Sequence, residues 1–271
     1  MVTVWSFFDY LKDFFLLSKP SKPVPKEERH IHPIWGLAPN ALTLFNLIFG
    51  LLSVYFSAVG KFDVAILLIY FGFYLDGYDG RLARKLQVDS KFGAKLDSKA
   101  DMVSFGIAPA VLIVMFLLEK WANYFWPAIC IGVLYFACVQ YRLYRFDQAE
   151  RSSFFQGIPS PAGAIFILFL CPIFAPFVPP VVFASGAVFM SLMMVSTFSY
   201  PHGGIIFSFP LYRWIKLPAL VLSNTAILLL FFEKGIWMTV TNGLFLIVCM
   251  FYIVYPAFDK LDILGKRPTS E

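Results

Sequence analysis

Repeated apolar runs of membrane-spanning length constrain this chain more than any other feature. Hydrophobic residues make up 59% of it and charged residues 14%, with a mean hydropathy of +0.72. Because lipid offers no water to backbone N–H and C=O groups, such runs fold as helices that bond their own backbone. We therefore predict an all-α integral membrane protein with about eight transmembrane helices of roughly 20 residues each. The predicted spans lie near 39–60, 62–84, 94–119, 122–145, 161–178, 180–200, 214–232 and 235–257.

The start of the seventh span is indistinct, so six spans with two peripheral helices is the alternative.

Basic residues set the direction of the spans. With residue 1 on the cytoplasmic side, the outer loops keep only Lys61, Lys120 and Lys234 of the 22 Lys and Arg residues. Both termini are therefore predicted to be cytoplasmic. The net charge of +5 then suits anionic lipid headgroups and a phosphate-bearing substrate, and it requires no nucleic acid.

The first residues predict a peripheral element rather than a span. The stretch VWSFFDYLKDFFLLSK has helical apolar spacing with its charges on one side, and it lacks the basic start and cleavage site of a secretory signal. We expect an amphipathic helix at the membrane surface, or alternatively a short helix packed on the protein. A Pro- and Lys-rich linker follows, so residues 1–36 form one unit.

Cysteine and histidine give no sign of a zinc site or a disulfide framework. The three histidines are scattered, and the cysteines show no paired spacing. The cysteines all lie inside apolar runs and are predicted to be small buried residues: Cys130, Cys138, Cys171 and Cys249.

Aspartates at helical spacing stand on both sides of the turn between the second and third spans. Asp76 and Asp79 share one helix face, and Asp97 and Asp101 share another. An antiparallel pair of helices brings all four carboxylates together at the cytoplasmic ends of the spans, while Asp89 lies in the turn. Clustered carboxylates near lipid repel one another, and salt bridges to Arg or Lys are one remedy. The cheaper one is a divalent cation, and oxygen ligands suit Mg²⁺, Mn²⁺ or Ca²⁺.

Small residues and an arginine accompany these acids. Gly77 and Gly80 interrupt a helix, where glycine costs about 1 kcal/mol relative to alanine. Together with Ala83 and Gly93 they allow a ligand or a second backbone to come close, and Arg84 is suited to hold a phosphate. The alternative is close helix packing for the glycines and snorkelling for Arg84.

This combination of acids and small residues resembles the signature of the CDP-alcohol phosphotransferase family. Every fixed position of that signature is present: Asp76, Asp79, Gly80, Ala83, Arg84, Gly93, Asp97 and Asp101. The resemblance implies a membrane enzyme with a six-span core, most often a homodimer, and a two-cation site open to the cytoplasm. We assign that core to residues 37–200 and two additional spans with a tail to residues 201–271.

Three further runs are similar to the bacterial and archaeal branch of this family that makes phosphatidylserine. They are PNALTLFNLIFG, DSKADMVSFGIAPA and GIPSPAGA. This resemblance implies transfer of a phosphatidyl group from CDP-diacylglycerol to L-serine at a prokaryotic inner membrane. The run YRLYRFD departs from the Arg-Phe-Asn more usual in the family, so other acceptors stay open. Glycerol 3-phosphate, an inositol phosphate and an archaeal CDP-ether-lipid donor are the alternatives.

The resemblance also implies roles for individual residues. Asp76, Asp79, Asp97 and Asp101 would bind two Mg²⁺ or Mn²⁺ ions, and Asp101 would also take the proton of the serine hydroxyl. The CDP moiety would lie against four positions of the chain: Thr43, Gly80, Arg84 and Gly93.

Two of these expectations have alternatives in the residues themselves. Thr43 could instead bond its own helix backbone. Arg142 and Arg145 end the fourth span on the cytoplasmic side, where either could clamp the serine carboxylate, or both could serve membrane topology alone. A transporter would need its aspartates deep in the bilayer, and a calcium-binding hand needs alternating ligands that DGYDGRLARKLQ does not supply.

Overall fold

The computed structural model describes residues 33–86, 91–121, 125–148, 154–171, 179–201, 221–227, 229 and 236–259. Within these ranges the chain is helical except for one short two-stranded sheet, which agrees with the predicted fold class. The helices are α1 (Pro33–Ala58), α2 (Phe62–Leu86), α3 (Lys91–Asp101), α4 (Ala108–Lys120), α5 (Phe125–Gln148), α6 (Ser160–Leu170), α7 (Pro180–Val195) and α8 (Ile236–Asp259). A π-helical turn, Met102–Ile107, joins α3 to α4, and residues 221–227 are also helical.

Three described stretches are long and apolar enough to cross a membrane: Leu37–Ala58, Phe92–Lys120 and Phe125–Phe146. Shorter apolar helices lie at Ser160–Leu170, Pro180–Val195 and Thr239–Met250. Helix α2 has 25 residues, enough to span, but its second half carries acidic and basic side chains. The protein is thus a helical membrane protein. The count of eight spans and the amphipathic helix predicted within residues 1–36 stay predictions, because much of both falls outside the described residues.

Helices α1 and α2 form a hairpin along most of their length. Gly60 lies at the turn with φ +75°, a backbone conformation that glycine adopts without strain. Its N–H donates to the Ser57 carbonyl oxygen at 3.1 Å, and the Lys61 N–H donates to Phe56 at 2.9 Å. These bonds satisfy the last carbonyls of α1 and direct the chain straight back along it.

The π-helical turn is a feature that apolar periodicity does not predict. Its bonding is one residue wider than that of an α-helix, since the Ala108 N–H donates to the Val103 carbonyl oxygen. Tyr135 on α5, fully buried, donates its hydroxyl to the Phe105 carbonyl oxygen at 3.1 Å. This bond from a neighbouring helix stabilises the turn, which directly follows Asp101.

Aromatic side chains make the core between the helices. The Phe116 ring meets Phe62 and Phe183 edge to face, with centroids 5.4 Å apart in both pairs. Phe169 on α6 lies 4.3 Å from Phe245 on α8, which docks the last helix against the bundle. Such pairs contribute about 0.5–1.5 kcal/mol beyond the area they bury.

Two span boundaries and one cysteine differ from the sequence predictions. Helix α6 ends at Leu170 rather than near 178, because Cys171 is already extended with ψ 133°. Helix α7 ends at Val195, and the following Ser199–Pro201 forms β2, which pairs antiparallel with β1 (Phe154–Gln156). The four cysteines have free thiols, but Cys130 on α5 is exposed rather than buried.

Candidate metal centre and active site

The acidic residues lie on α2 and α3, which both pack against α1. Asp76 stands about ten residues before the end of α2, and Asp101 about ten residues after the start of α3. At 1.5 Å per residue both lie roughly 15 Å along their own helices from the ends that face each other in sequence. By the same count, Asp79 lies seven residues before the end of α2, and Asp97 lies six residues after the start of α3. The spans predicted near 62–84 and 94–119 put the four acids in the halves next to the joining residues, and the structure does the same, with α2 ending at Leu86 and α3 beginning at Lys91.

Three of the four carboxylates converge. Asp76, Asp97 and Asp101 each offer an oxygen atom within 4.8 Å of the other two. The carboxyl groups of Asp76 and Asp101 lie within hydrogen-bonding reach of each other. Two carboxyl groups can stay this close only with a proton or a cation between them, because two negative charges repel.

The cluster fits a hard divalent cation. Asp101 Oδ1 is buried and has no hydrogen-bond partner among the described residues. A buried carboxylate oxygen without a donor is costly, and a cation would satisfy it. The described residues that converge here are all carboxylates, and such oxygen ligands favour Mg²⁺ or Mn²⁺ over zinc.

Asp79 lies outside this three-residue cluster and is held by α1. It is only 4% exposed, and its Oδ2 accepts a 2.7 Å hydrogen bond from the Thr43 hydroxyl. Its Oδ1 accepts the N–H of Gly80. Thr43 Oγ1 also lies 3.1 Å from the Pro39 carbonyl oxygen, the backbone bond given above as the alternative for this side chain, whereas the bond to Asp79 was not predicted. Thr43 therefore orients one of the four acids.

The small residues of the motif differ in their surroundings. Gly80 and Gly93 are half-buried on α2 and α3, whereas Gly77 is exposed, and in the described part of the chain no other element comes within 4 Å of where its Cβ would stand. Gly77 thus has no packing neighbour that requires glycine. The backbone of Arg84 belongs to α2, but its side chain lies outside the described residues.

The two arginines predicted as a pair lie in different environments. Arg142 is 7% exposed, and its positive charge acts on both Asp76 and Asp101. It donates to the Ser160 hydroxyl oxygen at 2.8 Å. Arg142 therefore lies beside the acidic cluster.

Arg145 serves the backbone instead. It donates to main-chain carbonyl oxygens of Met194, Val195, Ser196 and Gln156. These carbonyls belong to the end of α7 and to β1. Arg145 thus fastens the short sheet to α5, and its fork of N–H groups is occupied by carbonyl oxygens.

Residues 36–199 match the CDP-alcohol phosphatidyltransferase family, and this match covers more than half of the chain. The chain belongs to the CDP-alcohol phosphatidyltransferase family. The resemblance given by the acidic motif is thereby confirmed, and the divalent-metal dependence general to this family agrees with the acidic cluster.

Several curated relatives within this family are named CDP-diacylglycerol–serine O-phosphatidyltransferase. One from Mycobacterium bovis is 36% identical over 137 residues, which cover 48% of this chain and 46% of that protein. One from Helicobacter pylori is 31% identical over 244 residues, which cover 85% of this chain and 98% of the relative. One from Methanocaldococcus jannaschii is 33% identical over 162 residues, covering 59% and 71%. The chain thus spans about half the length of the mycobacterial relatives and nearly all of the Helicobacter protein.

Two residues of this family member were not predicted as part of the site. Ser160 at the start of α6 is fully buried against Arg142. Asn46, also fully buried, lies one turn after Thr43 on α1. Both fall in the runs GIPSPAGA and PNALTLFNLIFG, but nothing within one run states which residue of another helix it meets.

Proposed function

We propose that this protein transfers the phosphatidyl group of CDP-diacylglycerol to the hydroxyl of L-serine, releasing CMP. The observation that carries the proposal is the convergence of Asp76, Asp97 and Asp101 beside Arg142. The names of relatives from bacteria and an archaeon support the choice of serine. In the reaction the serine oxygen bonds to the β-phosphorus, which carries the diacylglycerol. The bond from that phosphorus to the oxygen bridging it to CMP breaks.

The carboxylates have two tasks in this proposal. Asp76, Asp97 and Asp101, with Asp79 completing the set, would hold two Mg²⁺ or Mn²⁺ ions. When bound, these ions neutralise the diphosphate and stabilise charge on the reacting phosphoryl oxygens. Asp101 is also the proposed general base, because its buried Oδ1 accepts no hydrogen bond from a described donor and lies next to Asp76. It accepts the serine hydroxyl proton as the new O–P bond forms.

The cytidine diphosphate would lie along α1, α2 and α3. We assign it to Thr43, Gly80, Arg84 and Gly93. Thr43 contributes by orienting Asp79, and the two glycines leave space at the level of the acids. The positive charge of Arg84 would meet the diphosphate.

The acceptor would bind on the side of α5 and α6. A serine carboxylate needs a fixed cation, and Arg142 supplies one that is already oriented by Ser160. Arg145 supports this side from behind by fastening the end of α7, so we assign it a positioning role and no direct contact with serine. The acceptor pocket is thus proposed to consist of Arg142 and Ser160.

The test is CMP release by the purified protein in detergent with CDP-diacylglycerol. Serine, glycerol 3-phosphate and an inositol phosphate are offered in turn, and the lipid product is identified by mass spectrometry. We expect release with serine, dependent on Mn²⁺ or Mg²⁺, and its loss in Asp76→Asn. The matched control is Asp63→Asn, an acid at the other end of the same helix. Release only with a phosphorylated acceptor overturns the serine assignment, and release unaffected by Asp76→Asn overturns the metal centre.

We further propose that the site faces the cytoplasm and that the protein is a homodimer. The distribution of basic residues supports the first point. Light scattering in detergent tests the second. A membrane-impermeant thiol reagent tests the orientation of the site in variants whose single cysteine is Lys61→Cys or Lys95→Cys. We expect the reagent, added from outside, to modify only the Lys61→Cys variant.

A further inference from the structure

Asn46 on α1 contacts α2 and the π-helical turn that directly follows α3. Its main-chain carbonyl oxygen accepts a 2.8 Å hydrogen bond from the Ser104 hydroxyl in that turn. Its side-chain Oδ1 faces α2 at Gly72, where an added Cβ would stand 2.7 Å from it. One residue of α1 thus sets how close α2 and the turn approach at this level.

Gly50, one turn further along α1, permits the contact with Ser104. A Cβ at Gly50 would lie 2.6 Å from Ser104 Oγ and 2.9 Å from Ser104 Cα. The second distance involves backbone, which cannot move away by a side-chain rotation. Any larger residue at position 50 would therefore push the π-helical turn away from α1.

These contacts lie one turn from the carboxylates. Gly72 is four residues before Asp76 on α2, and Ser104 is three residues after Asp101. Because a helix is stiff over one turn, the separation fixed at Gly72 and Ser104 is passed on to Asp76 and Asp101. Cation sites are sensitive to this separation, since Mg²⁺ tolerates little departure from its preferred oxygen distances.

An amide side chain such as that of Asn46 is unusual at a buried position whose only task is packing. The side chain is fully buried, and neither Oδ1 nor Nδ2 has a hydrogen-bond partner among the described residues. An apolar side chain at this position would avoid this cost. A polar group held in such surroundings points to a role beyond packing.

We propose that Asn46, Gly50, Gly72 and Ser104 form a helix spacer that sets the distance between Asp76 and Asp101 and thereby the cation affinity of the site. Asn46 and Ser104 are positioning residues that act through the carboxylates. The inference rests on the metal centre of the proposed function.

The test measures Mn²⁺ binding by the full-length protein in detergent, using electron paramagnetic resonance of the free ion and no substrate. Gly72→Ala and Asn46→Ala are each expected to weaken Mn²⁺ binding about ten-fold, a free-energy change in the range by which residues in contact affect one another. Among the described atoms, Asn46 Oδ1 alone lies within 3.4 Å of a Cβ added at Gly72. Removing the Asn46 side chain therefore makes room for the Gly72 Cβ, and the Asn46→Ala/Gly72→Ala double variant should bind Mn²⁺ within about three-fold of the unaltered protein. Ser104→Ala, which removes one hydroxyl and little volume, should weaken binding about five-fold.

Gly132→Ala is the matched control. Its Cβ would crowd Val114 and the Ala110 carbonyl oxygen, so it strains a helix contact away from the acids. We expect it to lower the melting temperature without changing Mn²⁺ affinity. Equal Mn²⁺ binding by the folded single variants, or simple addition of their losses in the double variant, overturns the spacer alone. Absence of Mn²⁺ binding by the unaltered protein overturns both the spacer and the metal centre.

Discussion

Replacing Thr43 with valine tests whether α1 helps to build the metal centre. Valine has nearly the same shape as threonine, so the change removes one hydroxyl and leaves the packing intact. Thr43 and Asp79 are each only 4% exposed, and their 2.7 Å bond is short. Water therefore cannot replace the lost donor. The Asp79 carboxylate still accepts the Gly80 N–H.

The size of the effect follows from the charge on Asp79. A hydrogen bond to a charged group contributes about 1.5–3 kcal/mol, which corresponds to a roughly 10- to 100-fold loss in kcat/KM. Thr43→Ser keeps the hydroxyl and should retain most activity. Thr43 also approaches the Pro39 carbonyl oxygen four residues earlier, and that bond is lost too.

Thr241→Val controls for this second loss. Thr241 donates to the carbonyl oxygen of Trp237, also four residues earlier, at 2.8 Å. The assay is CMP release at several Mn²⁺ concentrations. We expect Thr43→Val to require more Mn²⁺ for half-maximal activity, and Thr241→Val to behave like the unaltered protein. A kcat/KM for Thr43→Val within about two-fold of the unaltered protein would refute the reasoning.

Three further substitutions separate the roles of the remaining residues. Asp101→Asn should reduce CMP release at least about 100-fold, as loss of a general base does, while Glu119→Gln, an exposed acid further along the same helical path, should have no effect. Comparable activity in both would remove Asp101 from catalysis. Arg142→Lys should raise KM for serine about ten-fold through loss of the planar fork, and KM for CDP-diacylglycerol much less. An equal rise in both would argue against a serine carboxylate at Arg142. Arg145→Met should lower the melting temperature through its lost carbonyl bonds, with KM for serine unchanged, and a selective rise in that KM would restore Arg145 to the acceptor pocket.

The acidic motif was readable because its geometry is local. Spacings of three and four residues place two carboxylates on one helix face whatever surrounds the helix. A short connection between two helices favours an antiparallel arrangement, so the sequence predicts that Asp76 and Asp101 approach each other. The residues at which these helices end are less local, because helix length depends on packing as well as on hydropathy.

The arginines show where local reasoning stops. Arg142 and Arg145 are three residues apart on one helix and carry the same charge, so the sequence offers no ground for separating them. In the structure one lies beside Ser160 and the acids, and the other meets the end of α7 and β1. The difference arises from which elements pack on each side of α5.

The sequence by itself determined that this chain is a helical membrane protein with an acidic motif suited to divalent cations, because hydropathy and helical spacing are properties of neighbouring residues. The tertiary structure alone decided that Thr43 holds Asp79, that Arg142 faces the acids, and that Asn46 meets Gly72 and Ser104. Each of these contacts joins residues that are far apart in the chain or on different helices. Such contacts depend on the angle and rotation at which helices pack, and no single stretch of sequence specifies either.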